Sequence, residues 1–270
     1  MNKMILSLLF VFLITGFGFS QDKLDFSLLT SGELEKEVEN LNNGMHAGMG
    51  VLDWTDASAP SLFRFSAGVF LGFGAADKNP TIGLKEDVFF PAGAGIQVGF
   101  GTAGFEAYAR LLPEMKTFDY SLKSLGFGLK YEISDMIPAP GLPAIALFAD
   151  YNTMDFGLNN TNTVTVEGVT GDINTDIALA FSTINIGAIA SYDLVVLRVY
   201  AKLAVELGNT DIDWNRAVVS GNSIVAEKTK LSLDSTGFRY AAGLVLFGIR
   251  AEIGGRGGNM FAGLGYGISI

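Results

Sequence analysis

From residue 62 onward, apolar side chains alternate with small or polar ones, the two-residue period of a strand whose two faces meet different surroundings. Phe63, Phe65, Ala67, Val69, Leu71 and Phe73 interleave with Arg64, Ser66, Gly68, Phe70 and Gly72. The same alternation runs from Ala92 to Phe100, Phe105 to Leu111, Leu125 to Ile133, Ile145 to Tyr151 and Ile184 to Tyr192. It continues from Leu197 to Leu207, Phe238 to Leu246, Ile249 to Ile253 and Ala262 to Ile270. Ten strands are predicted. The seven prolines, Pro60, Pro80, Pro91, Pro113, Pro138, Pro140 and Pro143, are expected between them, because a strand interior needs its backbone donors.

Every charge within these strands lies opposite the apolar series: Arg64, Glu106, Arg110, Lys130, Glu132, Asp150, Arg198, Lys202, Glu206, Arg239, Arg250 and Glu252. A face without charge, backed by one rich in Gly and paired charges, fits a barrel in lipid with a polar interior. A soluble sandwich puts its charges outside instead. The fold class is therefore all-β, a transmembrane antiparallel up-and-down β-barrel of about ten strands with a short N-terminal helix. Strand addition by residues 45 to 53, or by a hairpin within 216 to 233, would make twelve. Connections near 102 to 103, 134 to 143, 193 to 194 and 247 to 248 are tight or Pro-built. Those near 75 to 90, 113 to 119, 157 to 181, 208 to 235 and 255 to 258 read as mostly longer polar loops. Such alternation puts both termini on one side, and the short turns are expected to face the periplasm.

The first sixty residues break the pattern. Residues 1 to 20 carry Lys3, an apolar stretch and Gly18-Phe19-Ser20, the features of a signal peptide cleaved before Gln21. In residues 21 to 60, Thr30 and Glu33 form a capping-box pattern ahead of Leu34, Val38 and Leu41 on one helical face. Residues 61 to 270 are the barrel. The predicted lumen has seven basic and five acidic groups, whereas Glu33, Glu35, Glu37 and Glu39 make the helix acidic. That contrast predicts a plug docked at the periplasmic mouth.

Composition narrows the chemistry. Glycine is 34 of 270 residues, charged residues are 17% and mean hydropathy is +0.36, yet no later run approaches the length of a membrane helix. With no Cys, a disulfide framework, a thiolate zinc site and a thiol nucleophile are excluded. A net charge of −10 argues against nucleic acid as a partner. No catalytic residue, metal site or cofactor is assigned. Gly99 to Gly104 fits G-x-G-x-x-G, but a strand follows where a dinucleotide site needs a helix. Asp172, Asn174 and Asp176 start like a calcium loop but lack its Gly and its closing Glu, and Asn209, Asp211 and Asp213 are as incomplete. His46 lacks a flanking catalytic motif.

The strand Gly126-Phe127-Gly128-Leu129-Lys130-Tyr131, the Pro-rich turn from Ile137 to Pro143 and the apolar opening Ala144-Ile145-Ala146-Leu147 carry a resemblance. The chain resembles a family of bacterial outer-membrane β-barrels to which no function is assigned, and is distantly similar to long-chain fatty-acid transporter barrels, which hold an N-terminal hatch in the lumen. It is shorter than the transporters and closes on Ile270, where the usual assembly signal has Phe. The resemblance implies outer-membrane lipid and the outer-membrane assembly machinery as partners. Three functions are expected to compete: porin-like passage or binding of a small, apolar solute; a structural or interaction barrel with a closed lumen; and an enzyme built on His46.

Overall fold

A computed structural model of the chain describes residues 24–27, 29–82, 84–116, 120–134, 141–166, 169–220 and 223–270. Residues 1 to 20, expected as a signal peptide, and most of the Pro-rich turn, including Pro138 and Pro140, lie outside them. One helix, α1 (Ser31–Gly48), precedes ten strands: β1 (Arg64–Ala76), β2 (Val88–Thr102), β3 (Phe105–Lys116), β4 (Tyr120–Glu132), β5 (Ala144–Val166), β6 (Val169–Leu194), β7 (Leu197–Ser220), β8 (Ser223–Leu246), β9 (Ile249–Arg256) and β10 (Asn259–Ser269). Each pairs antiparallel with its neighbours in sequence, and β1 pairs with β10 to close the ring. Closure removes the open edges that lipid cannot satisfy. The twelve-strand alternative fails among the described residues, because residues 45 to 48 are helical and residues 216–220 and 223–233 belong to β7 and β8.

At the short-turn rim the β2–β3, β6–β7 and β8–β9 connections each reverse in two residues. Ala103 (φ 51) and Gly104 (φ 81), like Phe247 (φ 49) and Gly248 (φ 83), adopt the left-handed backbone that such hairpins require. The G-x-G-x-x-G match is therefore the β2–β3 hairpin.

Two corrections follow from strand length. The described residues of 157 to 181 and 208 to 235, expected as loops, are strand, so β5 to β8 run 23, 26, 24 and 24 residues. A bilayer crossing needs only about 9–11. Pro91 and Pro113 also lie inside strands, not between them, and each sits beside a break in register. Phe73 pairs with Pro91 but Gly72 with Gly93, and Leu112 pairs with Ser124 but Met115 with Leu122. Bulges are where a sheet tolerates a residue without an N–H. The first bulge also turns Ala92 inward against α1 rather than outward.

The long strands read differently above and below one level. The outer rung Leu129, Ala149, Ile186, Val205 and Phe238 is apolar, whereas the rung Leu125, Thr153, Ser182, Asn209 and Asp234 is largely polar. The next outward rung on that side holds Lys123, Asp155, Ala180, Asp211 and Ser232, with Lys123 and Asp155 paired at 2.8 Å. The inner face inverts in step. Below that level it carries Asp150, Asn185 and Glu206; above it come Phe156, Leu179 and Ile212, then Leu158, Ile177 and Trp214. The barrel is thus inside-out within the apolar belt, as lipid demands, and packed like a water-soluble protein beyond it. About ten tilted residues per strand span the belt, matching the roughly 25 Å apolar band of a transmembrane barrel. Phe63, Phe65, Phe100, Phe105 and Tyr131 cluster at its short-turn edge as an aromatic girdle.

Candidate functional site

The lumen is occupied by the chain's own residues 24–27 and 29–60, which enter at the hairpin rim and leave at the short-turn rim. At the hairpin rim, the Asp25 N–H donates to the carbonyl of Ile82 at 2.9 Å, and Asn162 donates to Asp25 and Ser27. At the other rim, Pro60 accepts from the Gly104 N–H at 3.1 Å. The N-terminal segment thus reaches the rim opposite the start of β1 and the end of β10. The barrel's own ends, the start of β1 and the end of β10, share the short-turn rim as expected, whereas the segment expected to dock at that mouth extends through the lumen to the other rim.

The helix docks through its apolar stripe. Leu34, Val38, Leu41 and Met45 are fully buried against a cluster that includes Phe156, Leu179, Phe181, Ile212 and Trp214. Burying such a side chain contributes roughly 1.5–3 kcal/mol, more than an exposed charge supplies. Glu33, Glu35 and Glu39 are exposed, while Glu37 is half-buried and accepts from Asn79 at 2.8 Å. These four acids make no ion pair with the lumen among the described residues. Glu33 instead accepts from the Thr30 hydroxyl (2.8 Å) and N–H (3.2 Å), which hold its carboxyl below its ordinary pKa and cap the helix start. Gly44 and Gly48 let the helix lie against β1; a Cβ on Gly44 would sit 2.5 Å from the carbonyl oxygen of Ala75.

Below the apolar layer lie the charges. Of the twelve named from the sequence, Arg110, Lys130, Asp150, Lys202, Glu206, Arg239 and Glu252 are buried, and Arg64, Glu106, Glu132, Arg198 and Arg250 are half-buried. Many of their partners come from the plug. Asp53 pairs with Lys202, which also meets Glu252 at 2.9 Å. Asp56 pairs with Arg198 (2.6 Å) and Arg64 (3.3 Å). Lys130 donates to the carbonyl of Asp56 and meets Glu106 at 2.8 Å, while Arg110 donates to the carbonyl of Val51 at 3.3 Å. Glu132 accepts from the Ala59 N–H at 2.5 Å. Asp150 accepts from Asn152 and Asn185, each at 2.8 Å. Arg239 and Arg256 close on Glu206 at 3.2 and 2.6 Å.

Sequence reasoning missed Asp53, Asp56 and Arg256. The two acids sit in an aperiodic stretch, and Arg256 lies past Ile253, where the apolar alternation stops. The pair Asp53 and Asp56 does for the plug what the glutamates were expected to do.

His46 is fully buried in the last turn of α1. Its Nε2 lies 2.8 Å from the Thr210 hydroxyl, which donates to Asn42 at 2.6 Å; its Nδ1 faces Glu206 at 3.7 Å. Burial first, then Arg256 and Arg239, lower its pKa from 6.5 to about 3, so the ring is neutral. Asp172, Asn174 and Asp176 lie on the exposed face of β6, where Asp172 and Asn174 accept from Thr163 and Thr161. Asn209, Asp211 and Asp213 line β7 likewise, with Asp213 paired to Lys230 at 2.7 Å. No cluster of three His, Asp or Glu able to hold a metal occurs among the described residues.

No curated protein sequence matches the chain. Among solved structures, it is similar to the translocator domain of the autotransporter NalP from Neisseria meningitidis, with 14% identity over 88% of this chain and 95% of that one and a TM-score of 0.42. Ail, the attachment invasion locus protein of Yersinia pestis, is 9% identical over 78% of this chain and 100% of its own, with a TM-score of 0.33. The Ralstonia pickettii toluene transporter TbuX is 8% identical over 78% and 89%, with a TM-score of 0.23. The family model for the family of unknown function DUF6588 matches residues 77–252, from the β1–β2 connection into β9, and the chain belongs to that family.

Proposed function

We propose that this chain is a bacterial outer-membrane barrel that is closed at rest and works through the hairpin sheet standing outside the bilayer. The apolar belt meets outer-membrane lipid, the assembly machinery inserts the barrel, and short turns facing the periplasm set the hairpins outward. One observation carries the closed reading: residues 24–27 and 29–60 pack the lumen from rim to rim and are ion-paired to its wall through Asp53 and Asp56. Passive uptake of a small apolar solute would require that whole segment to leave. An interaction role suits the exposed part, because among the described residues the ends of β5 (159–166) and β8 (223–237) each pair on one side only, leaving hydrogen-bonding edges. An enzyme built on His46 is disfavoured, since the ring is sealed between α1 and β7.

The chain has no Cys, so single cysteines report topology cleanly. Asp172→Cys and Lys230→Cys should react with a membrane-impermeant maleimide on intact cells, while Val195→Cys in a short turn should react only after lysis. Labelling of Val195→Cys on intact cells would reverse the orientation. Steady conductance through the intact protein would restore the uptake reading.

A further inference from the structure

We infer that the short-turn mouth holds a binding site for a small oxyanion, a free phosphate or carboxylate, built around Arg250. A cavity of about 190 Å³ lies at the foot of the plug, lined by Arg64, Lys130, Arg198 and Arg250 against Asp53, Asp56 and Glu106. The acids are already engaged. Asp53 is held by Lys202, Asp56 by Arg64 and Arg198, and Glu106 by Arg64 at 2.6 Å and Lys130 at 2.8 Å. Arg250 is the fourth cation, and among the described residues it has neither an ion pair nor a hydrogen-bond acceptor.

A guanidinium offers five N–H donors in a planar fork that matches two oxygens of a carboxylate or phosphate. The wall makes room for it. Gly267 leaves open the space in which the Arg250 guanidinium lies against β10, and a Cβ there would push the end of that side chain aside. Ser66 and Ser269 line the same cavity. The space equals several waters of about 30 Å³ each, enough for one small oxyanion. Arg64 and Arg198, 22% and 28% exposed, keep the cavity in contact with solution at that rim.

The test is calorimetry on the refolded full chain in a non-ionic, phosphate-free detergent, titrated with inorganic phosphate and, separately, acetate, in a chloride background. Saturable binding of at least one of the two is expected. Arg250→Gln should weaken it at least tenfold, Arg250→Lys less, and Lys228→Gln on the distant hairpin not at all. Heat-modifiable migration certifies that each variant is folded. No saturable binding in the wild type, or equal affinity in folded Arg250→Gln, would overturn the site. Because binding is read on the plugged chain without any conductance, the result is independent of whether the lumen opens.

Discussion

At the scale of single residues, the account turns on which side of the belt edge a side chain occupies. Leu203 is 55% exposed on β7 within the apolar belt, and Asp211 lies on the same face eight residues on, beyond it. Leu203→Arg should cost about 2–4 kcal/mol of folding into lipid vesicles. Asp211→Arg should stay within about 0.5 kcal/mol. Urea titrations giving equal penalties would mean the belt edge is misplaced. The neighbours Tyr200 and Ala204, 4% and 5% exposed, pack in a cluster with Trp54 of the plug. Arg at either position meets the plug rather than an open lumen, so the expected outcome is a loosened plug.

His46 gives the plug a pH dependence with a definite sign. Docked, its pKa falls from 6.5 to about 3, through burial and then Arg256 and Arg239. A released segment therefore takes up a proton as pH falls through 6.5, while the docked one stays neutral until about 3. Docking has its full histidine contribution above 6.5 and loses it progressively below. Protease cleavage of the segment should rise on acidification, with part of the rise between pH 6.5 and 4 missing in His46→Leu. Superimposable profiles would contradict this assignment.

At the scale of elements, the helix is held by shape as much as by apolar area. Gly44→Leu would drive a side chain into the backbone of β1, where even a Cβ meets the Ala75 carbonyl oxygen at 2.5 Å. The barrel should still form and migrate heat-modifiably, while α1 becomes protease-sensitive. A variant as resistant as the wild type would show that α1 does not need this approach to β1.

The cores of the ten strands were legible in the sequence because lipid on one side and charge on the other impose a strong period of two. The upper halves of β5 to β8 were not. At the belt edge the apolar positions change phase, from Leu203, Val205 and Leu207 outside to Ile212 and Trp214 inside, so one strand reads as a strand followed by a loop. Pro91 and Pro113 were misplaced because a bulge depends on the partner strand, which a local pattern does not contain. The plug's ion pairs were invisible for a similar reason: Asp53 and Lys202 are far apart in sequence and neither belongs to a motif.

For the whole molecule, the central claim is that the chain seals its own barrel. Ten strands enclose little space, since eight are filled by side chains alone and water-filled channels belong to about sixteen. Into that space the segment from Leu24 to Pro60 brings an apolar layer, a histidine layer and the carboxylates Asp53 and Asp56. Removing one partner of a buried ion pair typically costs about 3–5 kcal/mol. Asp53→Ala together with Asp56→Ala should therefore loosen the plug without touching the belt. The most direct measurement is single-channel conductance in a planar bilayer, comparing the intact chain with Gly44→Leu and with the Asp53→Ala, Asp56→Ala pair. The intact protein is expected to be silent at neutral pH, and both variants to show discrete openings. Steady conductance by the intact chain, or silence in folded variants whose helix is protease-sensitive, would contradict the account.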